Sequence, residues 1–196
     1  MAGVVALQGL RDQGEIQAGQ KVLIVGASGG NGTFAVQIAK SFGAEVTGVC
    51  STRNVDMVRS IGADQVIDYT REDFTTSGQR YDLILATGGY RSILDYRRAL
   101  SPKGTYVMVG GAMAQVYEAM ILGPFISMTG GKKMVNLAAM PNQEDLVFMK
   151  ELLEAGKVVP VIDRRYPLSE VAEALRYYGE GHSQGKVVVT VEQEQA

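Results

Sequence analysis

Cysteine and histidine each occur once in this chain, at Cys50 and His182. One cysteine cannot close an internal disulfide, and the two residues together cannot build a zinc site that needs three or four ligands. No acidic cluster suggests a harder cation. Basic blocks are missing too: 19 Lys and Arg stand against 21 Asp and Glu, a formal net charge of −2. Nucleic acid and anionic membrane surfaces therefore find no electrostatic partner here. No apolar run approaches the roughly 18 residues that crossing a bilayer takes. The opening MAGVVALQGLRDQ lacks the basic front and long apolar segment of a secretory signal. A cytoplasmic protein is the expectation. Cys50 ends a strand that reads as buried, which favours a packing role over a reactive thiol.

What is present is globular. The chain has 196 residues, 46% hydrophobic and 20% charged, enough for one domain with a substantial core or one domain and a short appendage. Short runs rich in Val, Ile and Leu recur at 21–25, 45–50, 65–68, 81–86, 105–109 and 133–139. Helix-period stretches lie between them near 30–42, 53–61, 91–100 and 113–122. This alternation predicts an α/β protein: a doubly wound Rossmann fold, with a six-stranded, mainly parallel sheet and helices on both faces. Asn142 reads as the N-cap of a further helix, with Glu144 and Asp145 near its positive end. Leu146, Met149, Leu152 and Leu153 share a face of it, and Gly156 stops it. Pro167-Leu168-Ser169 opens a last helix carrying Val171, Ala174, Leu175 and Tyr178, and GHSQG then turns into a final strand, KVVVTV. Residues 2–12 read as an amphipathic helix with no element before it.

Seven residues, GASGGNG at 26–32, separate the first strand from its helix. Three spacings compete: Gly26, Gly29 and Gly32 as G-x-x-G-x-x-G; Gly26, Gly30 and Gly32 as G-x-x-x-G-x-G; Gly30, Gly32 and Ala35 as G-x-G-x-x-A. All serve one need. Small residues let the backbone turn tightly, approach a pyrophosphate closely and aim the first helical amides at it. Ser28, Gly29, Gly30, Asn31 and Gly32 are thus the candidate phosphate-binding residues. A turn without a ligand also favours glycine; the strand before and the helix after tip the reading to a dinucleotide. Two relations of this motif fail. None of the nine tyrosines has a lysine four residues later, as a short-chain dehydrogenase requires, and no Gly-Lys is followed by Ser or Thr, as a P-loop requires.

About 20 residues further on, where an acid would hold ribose hydroxyls, the sequence reads Cys50-Ser51-Thr52-Arg53-Asn54. No carboxylate is there. Ser51 and Thr52 can donate to a 2′-phosphate and Arg53 can grip it, a preference of about 1.5–3 kcal/mol for NADP(H) over NAD(H). The plainer alternative leaves Arg53 as a solvated residue of the first helical turn.

With these residues placed, the chain resembles the medium-chain dehydrogenase/reductase superfamily, in its zinc-independent, quinone-oxidoreductase-like members. The resemblance runs from GVVALQGLRDQGEIQAGQKVLIVGASGGNGTFAVQIAKSFGAEVTGV through IGADQVIDY and PKGTYVMVGG to GHSQGKVVV. Asn31 stands where those proteins usually have valine. The resemblance implies that Ser28, Gly30 and Asn31 lie at the pyrophosphate, and Ser51, Arg53 and Asn54 near the 2′-phosphate. It sets Tyr69 beside the adenosine phosphate. Thr87, Gly88, Gly110 and Gly111 then fall at strand ends where the nicotinamide half should rest; a packed tyrosine at 69 and a plain turn at 110–111 are the alternatives. It also implies a homodimer through the strand at 133–139. The implied division is a connecting helix over 1–14, a dinucleotide-binding core over 15–140, and C-terminal helices with a final strand over 141–196. The superfamily's N-terminal GroES-like domain, which supplies most substrate contacts, is not part of this sequence.

The expected function is the cofactor-binding domain of an NADPH-dependent oxidoreductase that passes hydride to a quinone, enone or similar carbonyl compound. No catalytic residue and no metal ligand is assigned. A non-catalytic NADP(H) sensor or interaction domain is the alternative; a zinc alcohol dehydrogenase with its metal in the other domain is a weaker one.

Overall fold

The computed structural model describes residues 1–89, 91–111, 117, 131–181 and 183–191. β1 (Lys21–Val25) has a neighbour on each side. β2 (Glu45–Cys50) and β3 (Gln65–Asp68) extend the sheet one way, and β4 (Tyr81–Ala86), β5 (Leu100–Met108) and β6 (Lys133–Asn136) the other. The order is β3-β2-β1-β4-β5-β6, with every pairing parallel. After β3 the chain returns across β1 and builds on its far side. The doubly wound α/β fold is thereby established, with its crevice beyond the carboxyl ends of β1 and β4.

Strand alternation sorts the core into two layers. Val22 and Ile24 of β1, Val46 of β2 and Leu83 and Leu85 of β4 face one way. There they meet α1 (Ala2–Gln8), α2 (Gly32–Ser41), α3 (Val55–Ser60) and α5 (Gln143–Glu154) through Leu7, Val36, Ile38, Val58 and Met149. Leu23, Val25, Ile84 and Tyr106 face the other way, against Ile93, Tyr96 and Ala99 of α4 (Ile93–Ala99). Cys50 is buried in the first layer, and burial, with the charge of Asp68, pushes its thiol up to about 11. Burial and a raised thiol pKa both fit a packing role for Cys50.

Three elements depart from expectation. β7 (Ile162–Pro167) pairs in parallel with β8 (Lys186–Thr190), linked through α6 (Val171–Gly179). Its sequence, IDRRYP, hides it: three of six positions are charged and the last is proline, both signals against a strand. On α5 the buried stripe is Asp145, Met149 and Leu152, while Leu146 and Leu153 are exposed. On α6 only Ala174 is buried, and Val171, Leu175 and Tyr178 are exposed. Helical spacing identifies a face, but a partner must lie over it before it is buried. The helix expected over 113–122 lies outside the described residues, apart from Tyr117, as do His182 and the tail 192–196.

Two polar clasps fix the outer helices to this frame. Buried Gln37 of α2 exchanges hydrogen bonds with the main chain of Val159, its Nε2 donating at 3.0 Å and its Oε1 accepting at 2.7 Å. Asp145, 1% exposed, accepts from Gln8 Nε2 and Arg11 Nη2, each at 2.6 Å, and from Asn142 Nδ2 at 2.9 Å. The Asn142 side chain in turn caps α5 by accepting from the Asp145 amide at 2.8 Å. Burial alone would raise the Asp145 pKa; the Gln8 and Arg11 donors outweigh it and hold the carboxyl below its ordinary value.

The Asp145 clasp is open to test. Asp145→Ala leaves Gln8 and Arg11 facing a buried void, and Arg11 is partly exposed, so the loss is about 2–3 kcal/mol in urea unfolding. Because the folded pKa lies below the unfolded one, the stability that the carboxylate contributes is complete above about pH 4 and is lost as pH falls through the folded value. Asp145→Asn is expected to flatten that acid limb of the stability curve.

Candidate functional site

Main-chain bonds at the end of β1 build the crevice. The amides of Gly26 and Ala27 both donate to Val49 O, at 3.1 and 3.0 Å, and the Thr87 amide donates to Val25 O at 2.9 Å. Gly26 has φ +80°, and a side chain there would meet Thr87 Oγ1 at 2.9 Å and Gly88 N at 3.1 Å. Only glycine can therefore turn the chain so close to β4. The turn closes with Gly29 N donating to Gly26 O at 3.1 Å, and α2 begins at Gly32. A Cβ on Gly32 would lie 2.1 Å from Gly26 O, so this glycine lets the helix pack on the turn that precedes it.

Among the described residues no backbone hydrogen bond engages the N–H groups of Gly30, Asn31 or Gly32, and Asn31 caps α2 without a side-chain bond. Three amides at the positive end of a helix are left to an anion. Of these three residues, Gly30 and Asn31 lie on the lining of a cleft of about 930 Å³. Ser28, Gly29, Gly30 and Asn31 line it from the turn, Ser51, Thr52, Arg53 and Asn54 from the end of β2, and Tyr69, Thr87 and Gly88 from β3 and β4. Gly32 lies behind the turn and does not line the cleft. Gly110 and Gly111 are also off its lining; the Gly110 amide is spent on Ala86 O at 3.2 Å. The residues present fit a dinucleotide: an open amide cradle, glycine where a side chain would block it, and room for an extended ligand.

The hydroxyls on this wall differ in what they can do. Thr52 Oγ1 donates to Asp68 Oδ2 at 2.6 Å and Thr70 Oγ1 donates to Asp68 Oδ1 at 2.7 Å. The hydrogen bond from Thr52 leads the influences that hold the Asp68 carboxyl below its ordinary value, ahead of the opposing effect of burial. A carboxylate thus stands one strand over from the acid-free end of β2, and the hydroxyl of Thr52 is turned to it. Thr87 Oγ1 is likewise committed, donating to Val25 O at 2.9 Å.

Sequence reasoning missed two cations on the lining, Arg91 and Lys186. Arg91 pairs with Asp73 at 3.1 Å and lies over the Phe74 ring. Lys186 opens β8 and reaches back across the crevice: its Nζ is 2.5 Å from where a Cβ on Gly30 would stand. Its loop is pinned by Gly185 N donating to Ser28 O at 2.8 Å and by Gln184 N donating to Asp163 Oδ2 at 3.0 Å. Burial depresses the Lys186 pKa, and among the described residues no carboxylate forms an ion pair with it. The signal was in the sequence, in the GK of GHSQGK, but lysine 156 residues after Gly30 carries no local mark of where it points.

The two glycines predict opposite outcomes. Gly32→Ala drives a methyl into backbone and should cost about 3 kcal/mol or more in chemical unfolding. Gly30→Ala meets chiefly the movable end of Lys186, and should cost less than about 1 kcal/mol.

With this geometry in place, comparison with known proteins is direct. Residues 61–189 match the family model described as zinc-binding dehydrogenase. The chain is 33% identical over 198 residues to the chloroplast envelope quinone oxidoreductase homolog of Arabidopsis thaliana, covering 96% of this chain and 59% of that protein. It is 36% identical to a mitochondrial NAD(P)H oxidoreductase of Mus musculus, covering 88% of this chain and 48% of that one. The structure of the quinone oxidoreductase from Coxiella burnetii superposes with a TM-score of 0.85 at 30% identity, over 98% of this chain and 59% of that one. The chain therefore spans about half to three fifths of the length of these relatives. The family's name mentions zinc, yet among the described residues no three His, Cys, Asp or Glu side chains converge, so they do not fit that metal. By the family match and by fold, this chain belongs to the medium-chain dehydrogenase/reductase superfamily, as a quinone-oxidoreductase-like member and a cofactor-binding domain of that kind.

Proposed function

We propose that this domain serves an NADPH-dependent oxidoreductase whose whole form passes hydride to a quinone, an enone or a similar carbonyl compound. The observation that carries the reading is one crevice in which unengaged turn amides, the Lys186 ammonium and an acid-free β2 end with Arg53 meet. A diphosphate on the amides of Gly30 and Asn31 gains charge-assisted hydrogen bonds there, and Lys186 supplies a point charge over the same turn. Arg53, at the rim, would meet the 2′-phosphate. Tyr69, 56% exposed, would flank the adenosine. Thr87 and Gly88 would border the nicotinamide half, with Gly110 and Gly111 outside the cleft lining.

A reduced nicotinamide held here supplies the hydride. The work of this chain is binding and orientation: fixing the phosphates fixes the ring, and a fixed ring shortens the path to an electron-poor carbon. No general acid is assigned to it. The quinone oxidoreductase homolog of Arabidopsis thaliana and a trans-enoyl reductase of Aspergillus terreus, 33% identical over 205 residues, support the substrate class.

The same reading takes residues 1–14 as a connecting segment, 15–140 as the dinucleotide-binding core and 141–196 as its C-terminal completion. A homodimer is part of it: β6 is the last strand of its sheet among the described residues, and pairing 133–139 with a second copy would cover that edge. A cytoplasmic setting is proposed too, since a lone cysteine gives no disulfide that an oxidising compartment would favour. No helix among the described residues is long and apolar enough to cross a membrane.

Calorimetric titration with both nucleotides separates the two cations. Arg53→Asp should weaken NADPH by about 10- to 100-fold while sparing NADH. Lys186→Met should weaken both by about 10-fold and leave their ratio unchanged. Tighter binding of NADH than NADPH by the unaltered protein would overturn the cofactor assignment.

A further inference from the structure

Asn54 is 4% exposed and has two hydroxyls within reach of its amide nitrogen. Nδ2 donates to Ser28 Oγ at 2.9 Å and to Ser51 Oγ at 3.2 Å, so one side chain joins the glycine turn to the end of β2. Asn54 Oδ1 is buried without a partner among the described residues. The amide could be turned over only by burying two N–H donors unpaired in exchange for one acceptor, which costs more. The Asn54 main chain is fixed as well, its N–H donating to Ser51 O at 2.9 Å.

A hydroxyl that accepts from Nδ2 keeps its own proton for another acceptor. No other hydrogen bond among the described residues engages Ser28 Oγ or Ser51 Oγ, and both residues line the cleft. Their protons are therefore offered to whatever fills it. Thr52 and Thr70, on the same wall, are set the opposite way, with their protons drawn to Asp68 or to each other. Two of the four hydroxyls present donors and two present lone pairs. Phosphate oxygens are acceptors only, so they belong against the serine pair.

We infer that Asn54 is a positioning residue: it holds the hydroxyls of Ser28 and Ser51 as donors, one toward the diphosphate and one toward the 2′-phosphate of the bound nucleotide. The inference rests on the dinucleotide reading above and deepens it. It assigns Asn54 no contact with the ligand itself. Of the two donors expected at the 2′-phosphate, Ser51 and Thr52, it keeps Ser51 alone, because the Thr52 proton goes to Asp68.

Asn54→Asp is nearly isosteric and reverses the polarity, because a carboxylate accepts from both serines and turns their lone pairs to the ligand. Titration with NADPH and NADH is carried out on the unaltered protein, on Asn54→Asp, and on both in a Ser28→Ala/Ser51→Ala background. Asn54→Asp should weaken NADPH by about 30-fold or more and NADH by less. In the background without the serines the same change should cost less than about threefold. An undiminished loss there means plain charge repulsion and overturns the inference; so does unaltered NADPH binding by Asn54→Asp. Asn54→Ala is read the same way should the aspartate variant not fold, with a loss of about three- to tenfold that vanishes when the serines are gone. If the unaltered protein binds neither nucleotide, the dinucleotide reading falls first and this inference with it.

Discussion

The site depends on the register of β1 with the strands on either side of it. The carboxyl end of β1 is stitched to β2 through Val49 O and to β4 through the Thr87 amide, and these bonds settle where the chain can turn. Once Gly26 has turned, the next residues have one course open to them: over the sheet edge, close against Thr87 and Gly88, and into a helix whose first amides look back over the crevice. A slip of one residue would exchange the two core layers, since Val22 and Ile24 serve one and Leu23 and Val25 the other. The packing of the core and the position of the anion cradle are thus one constraint.

Much of this was legible in the sequence because the information is local. Six strands of the main sheet, the turn at 26–32 and the stop at Gly156 are announced by composition within a few residues of where they act. β7 was hidden because charge and a terminal proline mask a strand whose stability comes from pairing with β8, its partner residues standing 23 to 24 positions later in the chain. The outer faces of α5 and α6 misled for a related reason: periodicity marks apolar residues without saying what covers them. At the site, glycines could be read because close backbone approach needs them. The direction of a hydroxyl could not, since Thr52 and Ser51 look alike in sequence and differ only through Asp68 and Asn54.

The cleft wall carries charges of both signs. Arg53, Arg91 and Lys186 line it, while Asp68 and Asp73 stand close behind. Asp73 is matched by Arg91, and Asp68 by two hydroxyls, so the negative groups are contained by partners of this chain. Burial depresses the pKa of Lys186, which has no ion-pair partner among the described residues. An acid-free strand end is therefore a statement about side chains within reach of a ligand, and carboxylates one layer back act through the hydroxyls that they orient.

Lys186 also sets an order in time. The turn at Gly30 is made early, but the ammonium that faces it is added 156 residues later. A growing polypeptide in which β1, β2 and β4 have paired displays the amide cradle without its counter-charge, and a protease cut between β6 and Lys186 that removes β8 leaves it in the same condition. Tight retention of an anion is for that reason a late acquisition of the nascent chain.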